Sequence, residues 1–227
     1  MLIHPLAFLS LCVFSLTCFA QDEQVTVQFV SFPISAKAEP VELLIGDGKT
    51  MSIELPTNRL SPVYKVNRLN AWILGKSSTG AEGDFVFDTY GKAASLASSK
   101  QLILVIRQGA KDSDGFKLIP MSSQPSKFGG GKYFFMNAAK VDVAVKIGDQ
   151  KFALKPRSHK LVQPNPSKVK GKRKYLYIYL HFRKGTEAIP FYESTWRFSK
   201  KARCMVFLYH DTHTNQLRTH TIRDYIQ

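Results

Sequence analysis

Val41-Glu42-Leu43-Leu44-Ile45-Gly46-Asp47-Gly48-Lys49 has a worn copy in the second half of the chain, Val141-Asp142-Val143-Ala144-Val145-Lys146-Ile147-Gly148-Asp149-Gln150-Lys151. Each is an apolar strand that runs into an Ile-Gly-Asp-x-Lys turn and out into a second strand ended by a proline, Pro56 or Pro156. The echo continues downstream. Leu102-Ile103-Leu104-Val105-Ile106, a polar turn and Phe116-Lys117-Leu118-Ile119 match Cys204-Met205-Val206-Phe207-Leu208-Tyr209, a polar turn and the stretch from Leu217 to Ile222. A repeat this long is a whole small domain rather than a solenoid unit. Around it, helical periodicity is almost absent. Alternation and short apolar runs dominate, as in Val25-Thr26-Val27-Gln28-Phe29-Val30 and Tyr133-Phe134-Phe135-Met136, with Gly and Asp turns between them. The expected fold is all-β: two tandem immunoglobulin-like β-sandwiches arising from an internal duplication. Residues 93–100, Ala-Ala-Ser-Leu-Ala-Ser-Ser-Lys, predict a short helical turn crossing between sheets.

The ends and the joint set the expected boundaries. Residues 1–20 carry no Lys, Arg, Asp or Glu, run apolar from Leu6 to Phe19 and end in Cys18-Phe19-Ala20, the pattern of a secretory signal peptide. The Ser15-Leu16-Thr17 before Cys18 is a poor match to a lipoprotein signal. The first sandwich is placed at 21–121, a linker at 122–131 and the second sandwich at 132–227. Phe128-Gly129-Gly130-Gly131-Lys132 lacks the Gly-Lys-Ser/Thr ending of a phosphate loop and leads into a strand, so it reads as a flexible joint. No apolar stretch after the signal is long enough for a membrane helix.

With Cys12 and Cys18 in the signal, Cys204 stands alone and reads as a small buried hydrophobe in an apolar strand. The one Asn-x-Ser/Thr triplet, Asn165-Pro166-Ser167, is blocked by its proline. An exported chain with no disulfide and no glycan site fits a bacterial periplasm, envelope or extracellular location.

Charge is the second strong signal. Residues 21–110 hold nine basic and nine acidic side chains, whereas 111–227 hold 23 basic against eight acidic. The excess concentrates in Lys151, Lys155, Arg157, Lys160, Lys168, Lys170, Lys172, Arg173 and Lys174, with no carboxylate among them. Such single-sign clustering predicts attraction to a polyanion. Next to it, Lys174-Tyr175-Leu176-Tyr177-Ile178-Tyr179-Leu180-His181-Phe182 alternates. On a strand the aliphatic face is core and Tyr175, Tyr177, Tyr179 and His181 form an outward stripe, a candidate stacking surface. The same parity forbids Lys170 and Lys172 from continuing that strand, which places them in a loop.

Catalytic chemistry finds little support. His210, His213 and His220 crowd the last hairpin with Asp211, and such residues ligate zinc where they converge. A His-x-x-His pair across a turn does not converge as it does on a helix, so no metal and no cofactor is expected. Asp84 and Asp88, with Glu82 nearby, share a strand face and are the candidate paired carboxylates of a hydrolase. No Gly-x-Ser-x-Gly turn is present. Asp112-Ser113-Asp114-Gly115 begins like a calcium loop but lacks the later ligands and reads as a hairpin turn.

Tyr133-Phe134-Phe135-Met136-Asn137, the Ile147 to Lys151 turn, Leu154-x-Pro156, Phe191-Tyr192-x-x-x-Trp196 and Val206-Phe207-Leu208-Tyr209 together resemble a loosely defined family of exported bacterial tandem β-sandwich proteins. That family has no known activity, and the resemblance carries no site residue with it. The plan of signal peptide, two sandwiches and high basicity is also similar to that of periplasmic pilus chaperones, although no motif matches theirs. The expected function is a non-enzymatic binding or structural envelope protein whose second domain contacts an anionic polymer, such as a polysaccharide, or a membrane surface. Nucleic acid is not the favoured partner. The alternatives are a periplasmic chaperone that binds a client strand, and a hydrolase.

Overall fold

The computed structural model describes residues 23–33, 40–108, 114–170, 173–211 and 214–226, the side chain of residue 168 excepted. The signal-peptide segment, Asp112, Ser113, Lys172 and His213 lie outside these residues. Four sheets make up the fold. In sheet A, β1 (Gln24–Phe32), β4 (Tyr64–Asn67), β7 (Lys100–Arg107) and β8 (Phe116–Ser122) lie in the order β4-β1-β7-β8. In sheet B, β2 (Val41–Gly46), β3 (Lys49–Ile53), β5 (Ala71–Thr79) and β6 (Phe85–Ala94) lie in the order β3-β2-β5-β6.

Beyond a four-residue helix, α1 (Pro125–Phe128), the second half repeats this plan. Sheet C has the order β12-β9-β16-β17, from β9 (Tyr133–Asn137), β12 (His159–Val162), β16 (Ala202–His210) and β17 (Leu217–Tyr225). Sheet D holds β10 (Val143–Ile147), β11 (Gln150–Leu154), β13 (Lys168–Lys170), β14 (Arg173–Lys184) and β15 (Glu187–Phe198). Its order is β11-β10-β14-β13, with β15 along the other side of β14. Each half carries one parallel pair in the same place, β1 with β7 and β9 with β16.

Alternation in the sequence tells which sheets face solvent. In β10, Val143, Val145 and Ile147 are buried while Ala144 and Lys146 are exposed. In β14, Leu176, Ile178 and Leu180 are fully buried. These residues, with Tyr133, Phe135, Cys204, Val206 and Leu208 of sheet C, form the core of the second sandwich. Val25, Val27, Phe29, Leu43, Trp72, Ile103 and Val105 belong to the core of the first.

Sheets A and C are apolar on both faces. Leu102, Leu104, Val30 and Phe32 on the far face of sheet A meet Phe134, Met136, Met205, Phe207 and Ile222 of sheet C in a third core. Phe32 stacks on Phe207 with centroids 4.8 Å apart and planes at 7°. The layers therefore run B-A-C-D, and the unbroken runs Leu102 to Ile106 and Cys204 to Tyr209 are strands buried on two sides.

The segment expected to be a flexible joint is packed. Phe128 is 2% exposed within the third core, and a Cβ on Gly129 or Gly130 would run into the carbonyls of Pro125 and Lys200. Arg203, itself buried, holds this segment to sheet C. Its guanidinium lies 4.9 Å from the Phe128 ring centre and donates to the Ser123 hydroxyl (2.8 Å), the Phe128 carbonyl (3.0 Å) and Asp224 (2.8 Å).

Two local expectations change. Residues 93–100 form no helical turn; Ala93 and Ala94 end β6, residues 95–99 are a loop and Lys100 opens β7. The reason is Gln101, 1% exposed, whose side chain supplies hydrogen bonds that a helix would have made internally. Its oxygen accepts from Trp72 Nε1 and Leu96 N, and its nitrogen donates to Ser95 Oγ and the carbonyls of Leu96 and Ser98. The two Ile-Gly-Asp hairpins also turn differently. The first turns on Asp47 and Gly48, both at positive φ (45° and 71°), as a type I′ turn requires. The second turns one residue earlier, on Gly148 (φ 57°) and Asp149, the II′ pattern with glycine first. Gln150 is thereby spared a left-handed backbone.

Candidate anion-binding surface

The outer face of sheet D is built by register. Lys151 pairs with Lys146, Lys146 with Tyr179, and Tyr179 with Glu193, giving one row across four strands. Lys146 Nζ sits 5.1 Å from the Tyr179 ring centre, so a cation already covers that ring. Farther along β14, Tyr177 pairs with Thr195, and Tyr175 with Arg197. Tyr175, Tyr177, Tyr179 and His181 are all half-buried, on the face opposite the fully buried aliphatic residues, as the alternation predicts. Among the described residues no such cation lies over Tyr175 or Tyr177.

Lys168 and Lys170 do not lie in a loop, while β14 begins at Arg173, next to Lys174. Residues 168–170 turn back as β13 and pair with Arg173, Lys174 and Tyr175. The parity argument that they cannot continue β14 holds, because they lie beside it instead.

The remaining cations gather on the same side of β14 as β13, toward the β11 edge of the sheet. Lys151 is on edge strand β11, Lys155 follows it, and Lys160 on β12 reaches back so that its Nζ lies 5.0 Å from the Phe152 ring centre. Between them Lys155-Pro156-Arg157-Ser158 forms a tight turn, with Ser158 N donating to the Lys155 carbonyl at 3.1 Å. Arg157 is held there at φ 61°, while its N–H donates to the carbonyl of the buried Asn137 at 2.8 Å. A left-handed backbone costs a β-carbon residue about 1–2 kcal/mol, which glycine avoids. Arg157→Gly is therefore expected to raise the unfolding free energy by about 0.5–1 kcal/mol, since glycine also loses more freedom on folding. Urea denaturation measures this, and the same variant should bind an anionic matrix less tightly.

Lys151, Lys155, Arg157, Lys160, Lys170, Arg173 and Lys174 are all exposed, and among the described residues none of them makes an ion pair. Three arginines elsewhere are paired: Arg59 with Glu54 at 2.9 Å, Arg68 with Glu23 at 2.6 Å, and Arg203 with Asp224. Glu193 ends the row on the outer face, whereas Asp149, at the hairpin turn just before the basic segment, is tied to the chain. It accepts from Asn165 N (2.8 Å) and Asn165 Nδ2 (2.7 Å), and these bonds hold its carboxyl below the usual range.

Lys146 and Arg197 belong to this surface although neither lies in the segment from Lys151 to Lys174. Lys146 was legible as the outward residue between Val145 and Ile147. Arg197 was not, because its place depends on the register of β15 against β14.

The other candidate sites do not assemble. His220 stands opposite Phe207 and belongs to the junction of the two halves, where its Nε2–H donates to the Thr57 carbonyl at 2.7 Å. His210 stands opposite Leu217 and, by strand parity, points to the other face of sheet C. They cannot share a metal ion, and no cluster of three metal-ligating side chains occurs among the described residues. Asp84 and Asp88 lie four residues apart along an extended hairpin, about 13 Å, too far to act as a pair. Cys204 is 1% exposed and burial pushes its thiol up, so it is inert.

No family model matches the chain, and no curated protein is similar to it. Among the described residues no helix is long and apolar enough to cross a membrane.

Proposed function

We propose that the chain is an exported, non-enzymatic protein of two immunoglobulin-like sandwiches derived by duplication, whose second half binds an anionic polymer or membrane surface. Its site of action is then the periplasm, the envelope or the extracellular space. The observation that carries the reading is the set of seven exposed cations without carboxylate partners at the edge and outer face of sheet D. A surface that needed charge only for solubility would mix signs. Strand addition by a client is less favoured at the edges formed by β3, β4, β11, β12 and β13, which are guarded. β4, β12 and β13 are short, and lysines stand on them and on β3 and β11, which is how sheet edges avoid pairing.

The test uses the full chain, because the third core joins the halves. Lys151→Gln/Lys155→Gln/Lys160→Gln is compared with Lys49→Gln/Lys65→Gln/Lys92→Gln on a carboxylated polysaccharide matrix and on anionic vesicles. All six lysines are exposed and both variants lose the same charge. At about 1 kcal/mol per lysine near an anionic surface, the first should weaken binding on the order of a hundredfold and the second little. Equal losses in the two would refute the site.

A further inference from the structure

The two ends of the junction between sheets A and C differ. At one end the strand β17 meets the loop after β3. His220 bonds to the Thr57 carbonyl there, and Leu60, 9% exposed, fills the third core. At the other end, where β8 and α1 approach β12, a groove of about 210 Å³ stays open. Met121, Phe128, Phe134 and Leu161 line it, and Lys127 and His159 line it too. Register explains the lining. Leu161 pairs with Phe134 and His159 with Met136, so the odd residues of β12 face the groove while Lys160 faces the sandwich edge. Leu161 is left 43% exposed, a large apolar side chain at the mouth.

We propose that this groove holds the alkyl chain of an anionic amphiphile with a phosphate headgroup, the headgroup resting against Lys127 and His159. Three observations support the assignment. The walls are almost wholly apolar, so a polar polymer has nothing to bond there. The volume exceeds the roughly 150 Å³ of an apolar cavity that accepts a benzene ring, which gives room for a chain of about six to eight carbons. Both ionisable side chains in the lining are basic types, and exposed Arg157 and Lys160 flank His159 in sequence, so the field at the mouth favours an anion. This ligand is distinct from the polymer assigned to sheet D and stands on its own geometry.

Calorimetric titration of the full chain with monomeric butyl, hexyl, octyl and decyl phosphate tests the assignment. Affinity should rise about fourfold per added methylene until the groove is filled, then flatten near octyl. Octanol and inorganic phosphate should each bind at least tenfold more weakly than octyl phosphate. Leu161→Asp, at an exposed position, should abolish binding while leaving the unfolding transition in place. Lys127→Gln/His159→Gln should narrow the gap between octyl phosphate and octanol. The double glutamine variant at Lys151 and Lys155 should bind octyl phosphate as the parent does, which separates this site from the polymer surface. Affinity independent of chain length, octanol binding as tightly as octyl phosphate, or Leu161→Asp without effect would each overturn the proposal.

Discussion

Arg203→Ala is expected to lower the unfolding free energy by about 3–5 kcal/mol, the usual cost of removing one partner from a buried ion pair. The side chain of Arg203 is 5% exposed and that of Asp224 26%. Removing the guanidinium strands more than one partner: the carboxylate of Asp224, the hydroxyl of Ser123 and the carbonyl of Phe128 all lose a donor. It also uncovers the face of a ring that lies in the third core. Asp224→Asn should cost less, about 1–2 kcal/mol, because the bonds from Arg203 to Ser123 and Phe128 survive and Asp224 is partly solvated. Urea denaturation gives both values. Limited proteolysis adds a local readout, since in Arg203→Ala the peptide bonds of residues 122–131 should become cleavable before either sandwich unfolds. A cost below 1 kcal/mol for Arg203→Ala would show that this segment is held by something else.

Phe207→Ala is expected to cost about 3–5 kcal/mol, the range for deleting a buried phenyl ring. The ring is fully buried, stacked on Phe32 of the other half and flanked by His220 at 6.2 Å. Its strand neighbours Val206 and Leu208 point into the second sandwich, while Phe207 points at sheet A. The loss should therefore reach both halves: one cooperative transition at lower urea, seen alike by probes in sheets B and D. A transition that split in two, with the first half unmoved, would show that the halves are independent and only touch.

The pattern of these two residues shows what the sequence could and could not reveal. The Ile-Gly-Asp pattern located both hairpins, because tight turns and period-two burial are local properties; the strand order shared by the two halves came only from the structure. The alternation from Tyr175 to Leu180 gave the correct faces of β14 for the same reason. The runs Leu102 to Ile106, Tyr133 to Met136 and Cys204 to Tyr209 also carried a signal, since a strand apolar at every position has two faces to bury. They did not say that each run's second face was covered by another from the opposite half; that contact spans most of the chain. The same distance hid the role of Arg203. Residues 93–100 misled because alanine and serine favour a turn of helix locally, whereas the side chain of Gln101 satisfied the backbone another way. Glycines 129–131 read as freedom, yet two of them are there because neighbouring carbonyls leave no room for a Cβ.

The basic surface shows the same division. Its charges were evident from composition, and their segregation into the second half needed no structure. That Lys146 covers Tyr179, and that β13 folds back beside β14, follow from register alone. The structure puts a cation over Tyr179 and sets Lys146 and Arg197 opposite Tyr179 and Tyr175.

The central claim is that this half of the molecule meets its partner through charge. The most direct measurement is the salt dependence of binding to a linear carboxylated polysaccharide, for the parent chain and for Lys151→Gln/Lys155→Gln/Lys160→Gln. With counterion release of about 0.7 per neutralised charge on a single flexible chain, a plot of log K against log salt should slope at about −3 or steeper in the parent. The variant should be shallower by about 2. A parent slope between 0 and about −1, or the same slope in both proteins, would contradict the account.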